Sequence, residues 1–204
     1  PRCPTIRMKD NPRPSFTAVE YRRLGAGCSL ARDFYLAHND PERASQFEEL
    51  RLFIRFMVNS FLRPSEWAEL RHRDIEIVEG DHPYLRITVR TGKTRQRRAV
   101  TMPGAVAAYR RSVERGGNPP EQYVFLPHYR NRATALERMV DRFNELLVLT
   151  GLTHDSFGRK RTLYSLRHTA LTLRILKGEN VDHMALAKNA GTSIEMLERF
   201  YCND

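Results

Sequence analysis

Apolar positions recur along the chain at two different periods, and the change of period divides it. From Pro41 to about Phe61, the residues Phe47, Leu50, Leu52, Phe53, Phe56, Met57 and Phe61 recur mostly at spacings of three and four, which predicts a helix with a core-facing stripe. Upstream, Thr17 followed by Glu20 has the pattern of a capping box. The apolar and aromatic positions after it predict a helix toward Tyr35, with Gly25 and Gly27 as interruptions. Pro64 suits the first turn of a short helix through Leu70. Between Ile75 and Met102 the pattern changes to short β-type runs: Ile75 and Ile77, then Tyr84, Leu85, Ile87 and Val89, then Ala99, Val100 and Met102. EGDHP and TGKTRQRR separate them, which predicts a small antiparallel meander with a very basic second turn. Helices resume over Gly104 to Arg115, about Thr134 to Leu149, and Thr162 to Leu176, closed by Gly116-Gly117, Gly151 and Gly178 respectively. Two short ones follow, about Val181 to Ala190 and Ser193 to Phe200.

No internal repeat, low-complexity tract or linker divides these elements. The expectation is therefore a single domain over 1–204, mainly helical with an inserted three-stranded antiparallel sheet, of the α+β class. A chain of 204 residues buries roughly 70% of its unfolded surface, so it needs no covalent staple. Cys3, Cys28 and Cys202 are too scattered for a disulfide framework or a zinc site, which points to a reducing cytoplasm. The seven histidines show no ligand spacing, so neither a metal nor any other cofactor is expected. No apolar run approaches the ~18 residues of a membrane span. The N-terminus lacks the apolar stretch of a signal peptide, and a start at Pro1 suggests a piece of a longer protein.

Charge changes the picture. Lys and Arg number 34 against 24 Asp and Glu, a formal net charge of +10 and a pI near 9.9. The excess is concentrated. Leu85 to Val100 holds six basic residues (Arg86, Arg90, Lys93, Arg95, Arg97, Arg98) and no acid. Ser156 to Gly178 holds six more (Arg159, Lys160, Arg161, Arg167, Arg174, Lys177), again with no acid. One such run is often only a solvated face, but two in so basic a chain favour a polyanion, duplex nucleic acid foremost. Gly92-Lys93-Thr94 looks like the tail of a P-loop. That motif needs glycine where Ile87 stands, and a strand-turn-strand setting is wrong for it, so ATP is rejected.

Four segments carry a more specific signal. LRPSEWAELRHRDI resembles the first arginine motif of the tyrosine recombinase (phage integrase) family, RTGKTRQRRAVTMP its lysine hairpin, and YSLRHTALTLRILKG its second arginine motif. NAGTSIEMLERFY is similar to the segment in which a Gly-His-Ser turn precedes the helix bearing the nucleophilic tyrosine. They occur in the family's order and span Arg63 to Tyr201, with weaker similarity in the N-terminal helices.

The resemblance implies a site-specific recombinase that cleaves and rejoins duplex DNA through a 3′-phosphotyrosine, without metal or ATP. Covalent catalysis keeps the bond energy in the adduct, and fixed cations stabilise the phosphoryl charge. Arg63 and Arg167 would clamp the scissile phosphate, Lys93 would protonate the leaving 5′-oxygen, and Tyr201 would be the nucleophile. Glu66 would orient Arg63 from one helical turn away. Tyr164 and Thr192 stand where the family usually has His and His or Trp, and are expected as hydrogen-bonding phosphate contacts. His168 is expected as a helix buttress. Arg90, Arg95, Arg97, Arg98, Arg159, Lys160 and Arg161 are the expected DNA-backbone contacts. The resemblance further implies a nucleoid-associated cytoplasmic protein and a homotetramer on DNA in the full-length protein. An N-terminal DNA-clamping domain and a C-terminal docking segment would lie outside this piece, leaving the piece itself monomeric. Two rival readings share these residues: a degenerate relative that binds DNA without cutting it, and a relaxing type IB-like topoisomerase. A structural or RNA-binding role is the remaining possibility.

Overall fold

The computed structural model describes residues 14–91, 95–178 and 181–201. Helix α1 (Ala18–Ala37) starts on the expected box, Thr17 Oγ1 accepting from the Glu20 amide (3.2 Å) and Glu20 Oε2 from the Thr17 amide (2.9 Å). It passes through Gly25 and Gly27 unbroken, contrary to the sequence reading. Packing explains Gly27: a Cβ there would lie 2.5 Å from Thr150 Cγ2, so its absence lets α1 approach the end of α5.

Helix α2 (Pro41–Ser60), capped by Asp40 on the Arg43 amide, is the central beam. Its stripe of Phe47, Leu50, Phe53, Phe56 and Met57 is buried, and it packs against α1, α4 (Pro103–Gly116), α5 (Arg132–Leu149) and α6 (Leu163–Lys177). It ends at Phe61, which adopts a left-handed backbone (φ 59°), and a short α3 (Pro64–Ala68) follows. The antiparallel meander is present in the expected order, β1 (Ile75–Val78), β2 (Tyr84–Thr91) and β3 (Arg95–Val100), but β3 begins inside the basic run read as the second turn and stops short of Met102. Leu85, Ile87, Val89 and Ala99 fill its inner face, with Ile87 opposite Ala99 and Val89 opposite Arg97. Two short helices close the chain, α7 (His183–Ala190) and α8 (Ile194–Tyr201).

The apolar residues fall into two clusters of unequal size. The main one surrounds Trp67, Phe53 and Phe125, whose rings meet edge-on at 5.0 to 6.4 Å. A small second one joins Phe61 at the end of α2 with Ala170 and Leu171 of α6, Leu186, Ala187 and Ala190 of α7, and Leu197 of α8. That second cluster holds the C-terminal pair of helices to the body.

Arg132, at the start of α5, is buried and acts as a four-way tie. Its guanidinium donates to the carbonyls of Ala68 (2.6 Å), Phe125 (3.0 Å), Leu126 (3.0 Å) and Tyr129 (2.9 Å), and lies 4.0 Å over the Tyr123 ring. Burial pushes it below the usual arginine range. Arg132→Met fills similar volume but leaves those acceptors unsatisfied. It is expected to cost roughly 3 kcal/mol in urea unfolding at an unchanged m-value. Among the described residues no helix is long and apolar enough to cross a membrane, and no group of three His, Cys, Asp or Glu side chains is placed to hold a metal ion.

Candidate active site

The site is assembled where α2, α3, β3, α6 and α7 meet. Arg63 caps α3, and its Nη1 reaches Glu66 Oε1 at 3.0 Å while its amide donates to Glu66 Oε2 at 2.7 Å. The Glu66 side chain is 1% exposed, and the same Oε2 accepts from Arg97 Nη2 at 2.7 Å. A simple i,i+3 helix pair would not do this: one buried carboxylate holds two guanidiniums and a backbone amide. Arg167, on the inner face of α6 and buried, donates through Nη1 to the Phe61 carbonyl and through Nη2 to the Ala190 carbonyl (2.7 Å).

The end of α7 completes the arrangement. The last carbonyls of a helix lack intrahelical partners and carry partial negative charge. Here three successive ones are each taken by a different arginine. Asn189 O accepts from Arg97 Nη1 (2.5 Å), Ala190 O from Arg167 Nη2, and Gly191 O from Arg63 Nη2. Gly191 has φ +65°, and a Cβ on it would stand 2.7 Å from Arg97 Nε, so glycine is required both by the backbone and by the arginine lying across it. The Asn189 side chain also pairs with the open edge of β3. Its Oδ1 accepts from the Val100 amide (2.6 Å) and its Nδ2 donates to the Val100 carbonyl (2.8 Å).

Three guanidiniums therefore converge on the last carbonyls of α7, and two of them, Arg63 and Arg97, share the Glu66 carboxylate. Burial pushes Arg167 down from the usual arginine range, and the neighbouring Arg63 and Arg97 push it further, against the pull of Tyr164 and Glu66. Arg97 is lowered for the same first reason, with Glu66 opposing and Arg63 adding to it. Both remain cations at neutral pH. Such a cluster suits an oxyanion presented in the plane of guanidinium forks.

Most of the expected site residues meet here. Tyr164 is half-buried on α6, one turn before His168, with the rings 5.1 Å apart; His168 is buried, as a buttress would be. Thr192 follows Gly191 in the α7–α8 turn, its amide bonded to Ala187 O at 2.9 Å. Ser193 Oγ accepts from the Met196 amide to start α8, and Leu197 seats that helix in the second cluster, one turn before Tyr201. Lys93 lies outside the described residues, as do the side chains of Arg95 and Tyr201.

The expected DNA-backbone contacts divide. Lys160 and Arg98 are exposed, Arg98 beside a cleft of about 660 Å³ that it shares with Met102, Leu186 and Lys188. Arg90 is half-exposed and paired to the buried Asp74 at 2.9 Å, and Arg159 pairs with Asp155 at 2.6 Å. Arg161 is a correction. It is 2% exposed, bonded to Glu20 (2.7 Å) and to the carbonyls of Ser15, Leu152 and His154, and packed on the Phe16 ring at 4.6 Å. Its donors are engaged within the fold, where they tie the start of α1 to the loop before α6. Arg97 is a second correction, since it sits inside the site with only 17% of its side chain exposed. The period of two predicts this: Gln96 and Arg98 are exposed, whereas Arg97 shares the face of buried Ala99.

Residues 35–204 match the phage integrase family. No curated protein matches the chain. Among solved structures, XerA recombinase aligns with a TM-score of 0.63 at 19% identity, over 95% of this chain and 62% of its own. XerH site-specific recombinase, in a post-cleavage complex with palindromic difH substrate, gives 0.65 at 14%, over 94% and 50%. The Tn1549 transposon integrase, in complex with transposon right end DNA, gives 0.57 at 14%, over 95% and 63%. The chain thus spans between 50% and 63% of the lengths of these three proteins. At such identities the likeness is one of fold.

Proposed function

The chain belongs to the phage integrase family, and from that premise we propose that it carries the catalytic domain of a tyrosine-type recombinase that cuts and rejoins duplex DNA at specific sites. The observation that carries the reading is the convergence of Arg63, Arg97 and Arg167 on the last carbonyls of α7, two of them sharing the buried Glu66 carboxylate, beside the turn that leads into the helix of Tyr201. Two of the similar structures are complexes with DNA, which supports duplex DNA as the partner.

In this reading the Tyr201 oxygen attacks the scissile phosphorus and the phenol gives up its proton to solvent water. The bond from phosphorus to the 5′-oxygen breaks, and Lys93 supplies the proton that oxygen needs to leave. The product is a 3′-phosphotyrosine and a free 5′-hydroxyl. In the reverse direction a 5′-hydroxyl, from the same or a partner duplex, attacks the adduct and restores a phosphodiester. Arg63 and Arg167 neutralise the charge that builds on the non-bridging oxygens, the task for which fixed guanidiniums are suited. Glu66 keeps Arg63 in place. Tyr164 and Thr192 donate hydroxyl hydrogen bonds to the phosphate, and Arg90, Arg95, Arg98, Arg159 and Lys160 serve as contacts to the flanking backbone. The energy of the broken bond is kept in the adduct, so rejoining draws on neither ATP nor a metal ion. Assembly as a homotetramer on DNA belongs to the longer protein.

The test is a denaturing gel of the chain, at high concentration and without divalent metal, on a labelled pool of nicked duplexes of randomised sequence. The nick lets the cleaved end diffuse away and traps the adduct. A protein–DNA band that survives denaturation is expected, and sequencing the trapped DNA defines the site. A second reading draws on Tyr164 and Thr192, which stand where the family usually has histidine or tryptophan: a relative that binds DNA without cutting. It predicts salt-dependent binding, no band, and recovery of the band when both positions are changed to His.

A further inference from the structure

We propose that Arg97 is a positioning residue that locks the lysine-bearing hairpin, the phosphate-binding arginines and the tyrosine-bearing helix into one geometry, an inference that rests on the reading above. Arg97 stands on β3, four residues after Lys93 and across the ladder from Val89. Its two terminal nitrogens reach different bodies. Nη2 bonds Glu66, which itself holds Arg63, and Nη1 bonds the Asn189 carbonyl at the end of α7. Its stem and Nε lie across Gly191, the first residue of the turn into α8.

A second contact runs in parallel. The Asn189 amide meets Val100 through both of its polar atoms, as a neighbouring strand would, so β3 is fastened to α7 at two points three residues apart. In the reading above, the proposed general acid precedes β3 in the chain and the proposed nucleophile follows α7. Lys93 precedes β3 by two positions in the sequence, and Tyr201 belongs to α8, the helix after α7. No other described guanidinium bonds to both Glu66 and the end of α7 except Arg63, which belongs to α3 and has no link to the hairpin strand. The Arg97 fork is therefore what ties the hairpin to the phosphate site. A single misplacement of about 1 Å in such an array costs on the order of 10²-fold in rate.

This differs from a backbone contact on DNA, the role that the basic run around it predicts. A phosphate contact contributes to affinity, and losing it reduces the salt slope of binding by about one. A positioning residue leaves affinity and slope alone and slows the covalent step at saturating DNA.

Arg97→Met and Asn189→Ala test the assignment, each confirmed folded by its thermal transition. The rate of adduct formation on the trapped DNA, at saturating protein, is expected to fall about 10²-fold in Arg97→Met, with Kd and salt slope unchanged. Arg97→Lys is expected to recover little, since one ammonium replaces a planar fork that spans two acceptors. A substrate whose leaving oxygen is replaced by sulfur needs no proton from Lys93, and is expected to restore a large part of the lost rate in Arg97→Met. Amide hydrogen exchange decides the matter independently of chemistry: in both variants residues 95–100 and 194–201 should lose protection together. A weakened Kd with a smaller salt slope and an unchanged saturating rate overturns the assignment, and so does unaltered protection of both segments. Should the unmodified chain form no adduct at all, the recombinase reading fails, while the exchange result still decides whether Arg97 joins the hairpin to the C-terminal helices.

Discussion

Tyr201→Phe is expected to abolish covalent capture of DNA while leaving duplex binding and its salt dependence as they were. Phenylalanine retains the ring and removes only the hydroxyl, so packing of α8 against the body through Leu197 is preserved. The charges that determine the salt slope are also untouched. The expected loss is on the order of 10⁶-fold, the scale of deleting a covalent nucleophile, and on the denaturing gel it reads as disappearance of the band. A band of undiminished intensity in the Phe variant would remove Tyr201 from the chemistry and send the search to another hydroxyl of the site, Tyr164 first.

Arg167→Met is the second large effect, and its two consequences separate. Removing a preorganised donor aimed at a developing oxyanion costs about 10³-fold in cleavage. The stability change is small by comparison, because two opposing effects meet. The carbonyls of Phe61 and Ala190 lose a donor, while a buried cation pressed by Arg63 and Arg97 is removed. The sign of the linkage is definite. A base whose pKa is lowered by folding destabilises the fold at every pH below its folded value, and an arginine stays below that value across the neutral range. The penalty is therefore constant there, and neither stability nor cleavage should gain a slope near neutrality from this group. Arg167→Lys is not expected to recover the rate, since a single ammonium cannot keep both carbonyls and still offer a fork to phosphate. Cleavage at the original rate in a folded Arg167→Met would exclude it from the clamp.

The elements were legible in the sequence because each rests on local physics. The Thr17–Glu20 box is closed by a neighbour three residues away, and the stripe of α2 and the alternation in the meander are periods written in adjacent residues, whatever distant elements cover them. Gly25 and Gly27 misled because a glycine in a helical pattern does not reveal whether it breaks the helix or admits a partner, and the partner, Thr150, is distant in the chain. Arg161 and Arg97 show the same limit in charge. Both belong to acid-free runs, which predicts solvent and DNA, yet their counter-charges come from Glu20 and Glu66, 141 and 31 positions away. Arg97 falls in the run read as a turn, and strand alternation explains its burial only once β3 is seen to begin at Arg95; for Arg161, in a loop, no period was available. Nothing local marked Asn189, whose role exists only once β3 is beside α7.

The unequal division of the apolar residues gives mutations two separate routes to effect. The body rests on the large cluster around Trp67, whereas α7 and α8 are seated by Leu186, Ala187, Ala190 and Leu197 against Phe61, Ala170 and Leu171. Opening only the latter exposes a minor share of the buried surface, so it belongs to the cheap end of the opening spectrum, well below the free energy of global unfolding. A change in the large cluster alters how much folded protein a cell contains and is seen as a shift in Tm. A change in the small one alters the fraction of folded molecules whose C-terminal helices are docked at a given instant, and is seen as turnover at an unshifted Tm. On the proposed function, ordinary aliphatic substitutions in the C-terminal cluster would therefore adjust the pace of strand cleavage without touching a single charged group of the site.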